Sequence, residues 1–179
     1  MKRFLIALVG LVSLAACSMA PITIDVIPLL DGSETGSGQI IVSSGGFDVY
    51  LPDSDGQVVS GYRALEVQPA AVSLDYELDL RQDGSLSGSA EVAFYMAAPG
   101  DYLWVSDNQL GDPQTVDFGQ AAQTVMGTLS LSAEQIDALM AGEFVVGARI
   151  SGTADDVPED GSVNIEYEFK KLMLEVTFF

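Results

Sequence analysis

Apolar and polar residues alternate along most of this chain with a period of two residues, which is typical of half-buried β-strands. The first alternating run covers residues 22–26. Further short strands are predicted over residues 39–43, 47–51 and 63–68, whereas residues 31–38 form a polar, glycine-rich stretch that we expect to be flexible. Gly, Asp, Ser and Pro separate these runs. Many short strands at this spacing predict an all-β fold, an antiparallel β-sandwich.

The clearest alternation lies in residues 72–96, where two successive strands are predicted. Even-numbered positions are apolar on one face of the first strand, and even-numbered positions again form the apolar face of the second. A three-residue loop over residues 82–84 would pair Leu80 with Leu86 and align the two apolar faces. Such a loop needs a left-handed backbone at its third position, which Gly84 supplies. The sequence therefore predicts a β-hairpin here.

One short connecting helix is predicted near residues 133–141. Ser132 and Gln135 form a capping-box pattern at its start, and Gly142 suits its end. Nearer the C-terminus the apolar phase shifts by one residue at positions 170–171. A β-bulge explains this shift, because one extra residue restores the same core face. A two-residue hairpin would also match the faces, but two lysines suit its positive φ angles poorly.

The first residues of the chain have the three parts of a secretory signal. Lys2 and Arg3 are basic, residues 4–14 are almost wholly apolar, and two alanines precede Cys17, which is the only cysteine in the chain. The apolar run is too short for a membrane-spanning helix, which needs about 20 residues.

The segment Leu14-Ala15-Ala16-Cys17 resembles the processing site of bacterial lipoproteins. This resemblance implies that residues 1–16 are removed as a signal peptide and that Cys17 is acylated. Residues 17–21 then form a short tether, and 22–179 form a single domain of ordinary size. Ser18 follows the cysteine, which implies the outer membrane in a two-membrane bacterium, or the cell surface in a bacterium with one membrane. The alternative is an ordinary secretory signal, which would leave Cys17 as a free thiol open to oxidation.

The chain is strongly acidic, with a net charge of −19. Residues 1–16 hold two of the seven basic residues and no acidic one, so the remaining chain carries −21. Such a surface repels nucleic acid, which we exclude as a partner, and attracts cations. The hydrophobic content of 48% is high enough for a folded core. The chain has no histidine, which excludes a histidine-based triad and imidazole metal sites.

Two acidic segments could supply oxygen ligands to Ca²⁺, the only cofactor that the sequence suggests. Neither segment completes an EF-hand loop, and Asp and Gly are also the ordinary residues of β-turns, so solvated turns are the alternative. The candidate ligands are Asp53 and Asp55 in the first segment and Asp155, Asp156, Glu159 and Asp160 in the second.

Residues 101–108 could form a ligand-binding face, for example for a glycan. Tyr102 and Trp104 would lie on one side of a strand, with Asp107 and Asn108 beside them as hydrogen-bond partners. The alternative is that Trp104 belongs to the core, where large aromatic residues are common.

These patterns support three hypotheses about function. The first is a non-enzymatic, outer-membrane-anchored β-sandwich that contributes structurally to a cell-envelope assembly. It would contact the membrane through Cys17 and bind an envelope protein. The second is a module that binds a glycan or another small ligand, and the third is a binding module stabilised by calcium. No catalytic residue is predicted, and we do not expect an enzyme.

Overall fold

The computed structural model describes residues 20–41, 46–82, 87–156 and 162–179. The predicted signal peptide and Cys17 therefore lie outside the described residues. In chain order the elements are β1 (Ile22–Asp25), β2 (Thr35–Ile41), β3 (Gly46–Leu51), β4 (Gln57–Val59), β5 (Ala71–Gln82), β6 (Ser87–Ala97), β7 (Gln109–Asp117), β8 (Ala122–Ser130), α1 (Ala133–Met140), β9 (Phe144–Asp156) and β10 (Ser162–Thr177).

The strands form two antiparallel sheets that pack face to face as a sandwich. Sheet A has the order β1-β10-β5-β8, and β2 also pairs with β10. Sheet B has the order β3-β9-β6-β7, and β4 also pairs with β9. Alternate residues of both sheets point inward and form one continuous apolar core. The predicted β-sandwich is confirmed.

The predicted hairpin between β5 and β6 is wrong. β5 lies in sheet A between β8 and β10, whereas β6 lies in sheet B between β7 and β9. The chain therefore crosses from one sheet to the other between these strands, and their apolar faces meet across the core: Tyr76 contacts Phe94 with 4.2 Å between ring centroids. Alternation specifies which side of a strand is buried, and both arrangements bury the same sides. Residues 83–86, which include most of the predicted loop, lie outside the described residues.

Three further local predictions were wrong. Residues 63–68 are not a strand; the strand in this part of the chain is β4, at 57–59. Residues 35–38, expected to be flexible, belong to β2 because they pair with the first half of β10. Residues 101–108 are not a strand either, as described below.

The helix and its capping box are confirmed. The Ser132 hydroxyl accepts a hydrogen bond from the backbone N–H of Gln135 at 3.3 Å, and the Gln135 side chain accepts one from the Ser132 N–H at 2.7 Å. Gly142 follows the helix with a φ angle of +86°, where a glycine is unstrained. In the described ranges no helix combines the length and the apolar character needed to cross a bilayer.

The bulge near the C-terminus is also confirmed. β10 runs without a break past Lys170, and its pairing with β5 shifts at this point. Phe169 lies opposite Leu78, whereas Lys171 lies opposite Glu77. The extra residue keeps the apolar positions on both sides of the bulge in the core.

Candidate functional site

The outer face of sheet B carries mostly polar side chains. Strand pairing arranges them in cross-strand rows, in which neighbouring strands lie about 4.8 Å apart. We call this surface the sheet B face. Its rows are Tyr50, Arg149 and Ala93; Asp48, Ser151, Glu91 and Thr115; and Gly46, Thr153, Ser89 and Asp117.

Part of this face forms a shallow groove of about 480 Å³. The groove lies where β6, β7 and β9 run side by side. Hydroxyl groups and one carboxylate dominate its side chains. The polar residues that line it are Ser89, Glu91, Thr115, Ser151 and Thr153.

Arg149 lies beside the groove and is held by Asp48. Its guanidinium contacts the Asp48 carboxylate through Nε at 2.9 Å and Nη2 at 2.7 Å. It also lies near Tyr50, with 5.9 Å from the guanidinium carbon to the ring centroid. Partial burial lowers the pKa of Arg149, but hydrogen bonds and charge, chiefly from Asp48, outweigh burial and leave it raised. The face therefore presents a fixed cation beside carboxylate and hydroxyl groups.

The Trp104 ring packs against two tyrosine rings, those of Tyr50 and Tyr95, close to Arg149. Its ring centroid lies 4.7 Å from that of Tyr50 and 5.3 Å from that of Tyr95. The ring rests on Gly147, where an added Cβ would come within 2.5 Å of the indole carbon Cη2. The indole N–H donates a 2.7 Å hydrogen bond to the carbonyl of Ser54. Trp104 is thus half-buried on the outside of sheet B, not in the core between the sheets.

The segment that carries Trp104 is a loop that covers one end of the sheet B face. Leu103 is buried in a small apolar cluster with Ala93, Ala97 and Val145. Because Leu103 and Trp104 both face the sheet, the alternation expected of a strand does not occur. A short 3-10 turn, Ser106–Asn108, then leads into β7.

The four predicted ligand-binding residues do not converge on one site. The Tyr102 side chain is 70% exposed. The Asn108 amide donates to the Tyr102 carbonyl at 2.9 Å, and Asp107 accepts a hydrogen bond from the hydroxyl of Ser106 at 3.2 Å. These contacts shape the loop. Of the four residues, Trp104 has the closest connection to the sheet B face, through Tyr50.

The predicted calcium ligands are placed only in part. One Asp53 carboxylate oxygen accepts the backbone N–H groups of Asp55 at 2.8 Å and Gly56 at 3.1 Å, which closes the turn between β3 and β4. Within the described ranges no three acidic, cysteine or histidine side chains are grouped as metal ligands. The second segment is not a loop at its start, since Asp155 and Asp156 end β9. Glu159 and Asp160 lie outside the described residues.

Comparisons with known proteins find only distant structural similarity. No protein-family model and no curated protein sequence matches the chain. Among solved structures, an infectious bursal disease virus structure (Gt strain) is similar with a TM-score of 0.48 and 12% identity, over 90% of this chain and 32% of the viral chain. The present chain thus spans about a third of the length of that viral protein.

Two carbohydrate-binding modules are also similar in structure. One, described as CBM4, has a TM-score of 0.37 and 14% identity over 82% of this chain and 97% of the module. The other, CBM28, is described as specific for non-crystalline cellulose and has a TM-score of 0.36 and 9% identity over 81% of this chain and 73% of the module. The chain is an all-β, antiparallel sandwich.

The residues that organise this face were missed in the sequence. Tyr50, Tyr95 and Arg149 come from three strands, and only the pairing of β3, β9 and β6 brings them together. One local signal was available: Gly147 interrupts an apolar run, and a glycine inside a strand often marks the close approach of another group. Here that group is the Trp104 ring.

Proposed function

We propose that this chain is an exported, lipid-anchored binding protein whose sheet B face holds a neutral, polyhydroxylated ligand such as a glycan. The observation that supports this function best is the groove of about 480 Å³ lined by hydroxyl groups and Glu91. Carboxylates accept hydrogen bonds from sugar hydroxyls, and serine and threonine hydroxyls can donate or accept. The Arg149–Asp48 pair adds both kinds of group at the border of the groove.

Charge restricts the class of ligand. The sheet B face contributes the carboxylates of Asp48, Glu91 and Asp117 against the single cation of Arg149. The whole chain carries −19. An anionic polymer would be repelled, because like charges across an interface are costly. A neutral ligand avoids this repulsion and still finds donors and acceptors.

A purely structural envelope role was the first hypothesis from the sequence. It stays a prediction, as do the envelope protein partner and the outer-membrane location. We favour ligand binding over a purely structural role, because a structural role does not require the groove on the sheet B face. The lipid anchor at Cys17 is compatible with both.

Binding to soluble neutral polysaccharides tests the proposal. The folded protein is titrated with glucans, mannans and galactans by affinity electrophoresis and calorimetry, with a polyuronate as the anionic comparison. Glu91→Ala should weaken binding about 10- to 100-fold, since a hydrogen bond to a charged group contributes about 1.5–3 kcal/mol. Glu175→Ala is the matched control, because Glu175 is an exposed strand residue on the outer face of sheet A. The absence of binding to every neutral polymer, or equal losses in both variants, would contradict the proposal.

A further inference from the structure

One end of the sandwich has an apolar groove of about 330 Å³. It lies between β1 and the segment 62–67, beside the end of β10. The apolar residues that line it are Ile22, Ile24, Tyr62, Ala64, Leu65, Val67 and Phe178.

The rim of this groove is unusually apolar for a free surface. Ile22 is 42% exposed and Val67 is 52% exposed. The charged residues of the lining, Arg63 and Glu66, form an exposed ion pair with 3.1 Å between Nη2 and Oε1, so together they add no net charge. Contiguous exposed apolar residues commonly mark a surface that contacts a partner or a membrane.

The chain enters the domain at this same end. Ile22 lies opposite Val176, near the end of β10, and β1 leads away from this end. The described residues begin at Ala20, only three residues after Cys17. Three residues span at most about 11 Å, and the five residues from Cys17 to Ile22 at most about 18 Å. Whatever holds Cys17 is therefore within reach of the groove.

We propose that the groove and its rim, which we call the anchor end, contact the lipid bilayer. This inference rests on the proposed acylation of Cys17. Acyl chains on Cys17 would insert in the bilayer, and the short tether would keep Ile22 and Val67 at its surface. The occupant is a neutral lipid interface, because the anchor end is apolar with a self-neutralised ion pair while the chain as a whole is acidic.

This contact would orient the domain. The strands would stand roughly upright, with the far end of β10 about 50 Å from the membrane, given about 3.3 Å per residue. The sheet B face would point sideways and remain open to a ligand. A second copy of the chain is the main competing occupant, and the experiment below separates the two.

The test uses the acylated protein in phosphatidylcholine vesicles whose acyl chains carry bromine as a fluorescence quencher. Cys17 is the only cysteine, so if it is acylated, Val67→Cys supplies the only free thiol for a dye. Ala122→Cys is the matched control, because Ala122 is exposed and pairs with Arg81 at the opposite end. We expect brominated lipid to lower dye emission about twofold or more at position 67, within reach of the acyl boundary, and not at position 122. Ile22→Cys replaces Val67→Cys if the latter does not fold.

Each other outcome has a defined meaning. Equal emission from both positions in brominated and ordinary lipid would overturn the bilayer contact. Quenching at position 67 that is absent at high protein density and appears only when the protein is diluted in lipid would show that a second copy covers this surface. Dye labelling of the unsubstituted protein would show that Cys17 is free. The anchor itself would then fail, and the bilayer contact with it, whereas glycan binding by the sheet B face would be unaffected.

Discussion

Replacement of Trp104 tests whether this residue holds the loop onto sheet B. Trp104→Ala removes two aromatic contacts, with Tyr50 and Tyr95, each of which contributes about 0.5–1.5 kcal/mol beyond its buried area. It also removes the hydrogen bond to Ser54, which contributes about 1 kcal/mol. We therefore expect a loss of about 3 kcal/mol in the free energy of unfolding. Trp104→Phe keeps ring contacts and should lose only about 1 kcal/mol.

Urea denaturation followed by far-ultraviolet circular dichroism is the suitable measurement, because Trp104 is the only tryptophan and its fluorescence is lost in the variants. Thermal unfolding should shift by about 6–12 °C for Trp104→Ala in a domain of this size. Tyr102→Ala is the matched control from the same loop. Its exposed ring should contribute less than about 0.5 kcal/mol.

A second substitution tests specifically the contact between the Trp104 ring and Gly147. Gly147→Ala places a Cβ within 2.5 Å of the Trp104 ring and should cost about 1–3 kcal/mol. In a Trp104→Ala background this cost should fall markedly, because the nearest obstructing atom is gone. The reasoning is refuted if Trp104→Ala is no more destabilising than Tyr102→Ala, or if the cost of Gly147→Ala is the same in both backgrounds.

Two further substitutions probe interactions away from Trp104. Gln135→Ala removes a buried side chain that caps α1 and donates hydrogen bonds to the carbonyls of Asn108 and Gln109, so it should cost about 2–3 kcal/mol in urea unfolding. Gln123→Ala, at a β8 residue whose side chain accepts an exposed hydrogen bond, should cost less than about 1 kcal/mol. Equal losses in the two variants would contradict this. The pKa of Asp75 is lowered chiefly by a hydrogen bond from Thr128 and next by one from Lys171. Its charged form therefore stabilises the fold at pH values above the unfolded-state pKa of about 4. This stabilisation is lost as the pH falls through the lower pKa of the folded state. Asp75→Asn should therefore be less stable than the unsubstituted chain at pH 7, and the gap should close toward pH 2; a gap that persists there would point to another cause.

Local sequence signals predicted those features whose causes are local. The capping box at Ser132 and Gln135 depends on residues three positions apart, and it forms as expected. The bulge at Lys170 follows from a phase change within one strand. Neither feature depends on knowing which strands are neighbours.

Strand neighbours could not be predicted in the same way. β5 and β6 are adjacent in sequence and carry matching apolar faces, so the alternation fits a hairpin and a crossing between sheets equally well. The true partners of β5 are β8 and β10, and in the pairing with β10, Leu74 lies opposite Leu174, about 100 residues later in the chain. Contacts of this separation depend on the whole core and leave no signal in the local pattern.

The same limit applies to the candidate site. Asp48, Ser151 and Glu91 form one row only because β3, β9 and β6 are neighbours in sheet B. In the sequence they are isolated polar residues on separate strands. The aromatic pair Tyr102 and Trp104 was conspicuous by contrast, because both residues lie in one short segment, although only Trp104 contacts the face.

The outer side of β6 explains why the sheet B face is covered at one end and open at the other. Its outward residues change from polar, at Ser89 and Glu91, to apolar, at Ala93 and Tyr95. An apolar outer face must be covered to be stable, and the loop that carries Leu103 provides that cover. Where the outward residues become polar, no cover is needed and the surface stays open. The border of the groove is thus set within a single strand, where the outward residues change from polar to apolar. Replacing Glu91 with an apolar residue would extend the apolar surface that must be covered and would not create a better binding site.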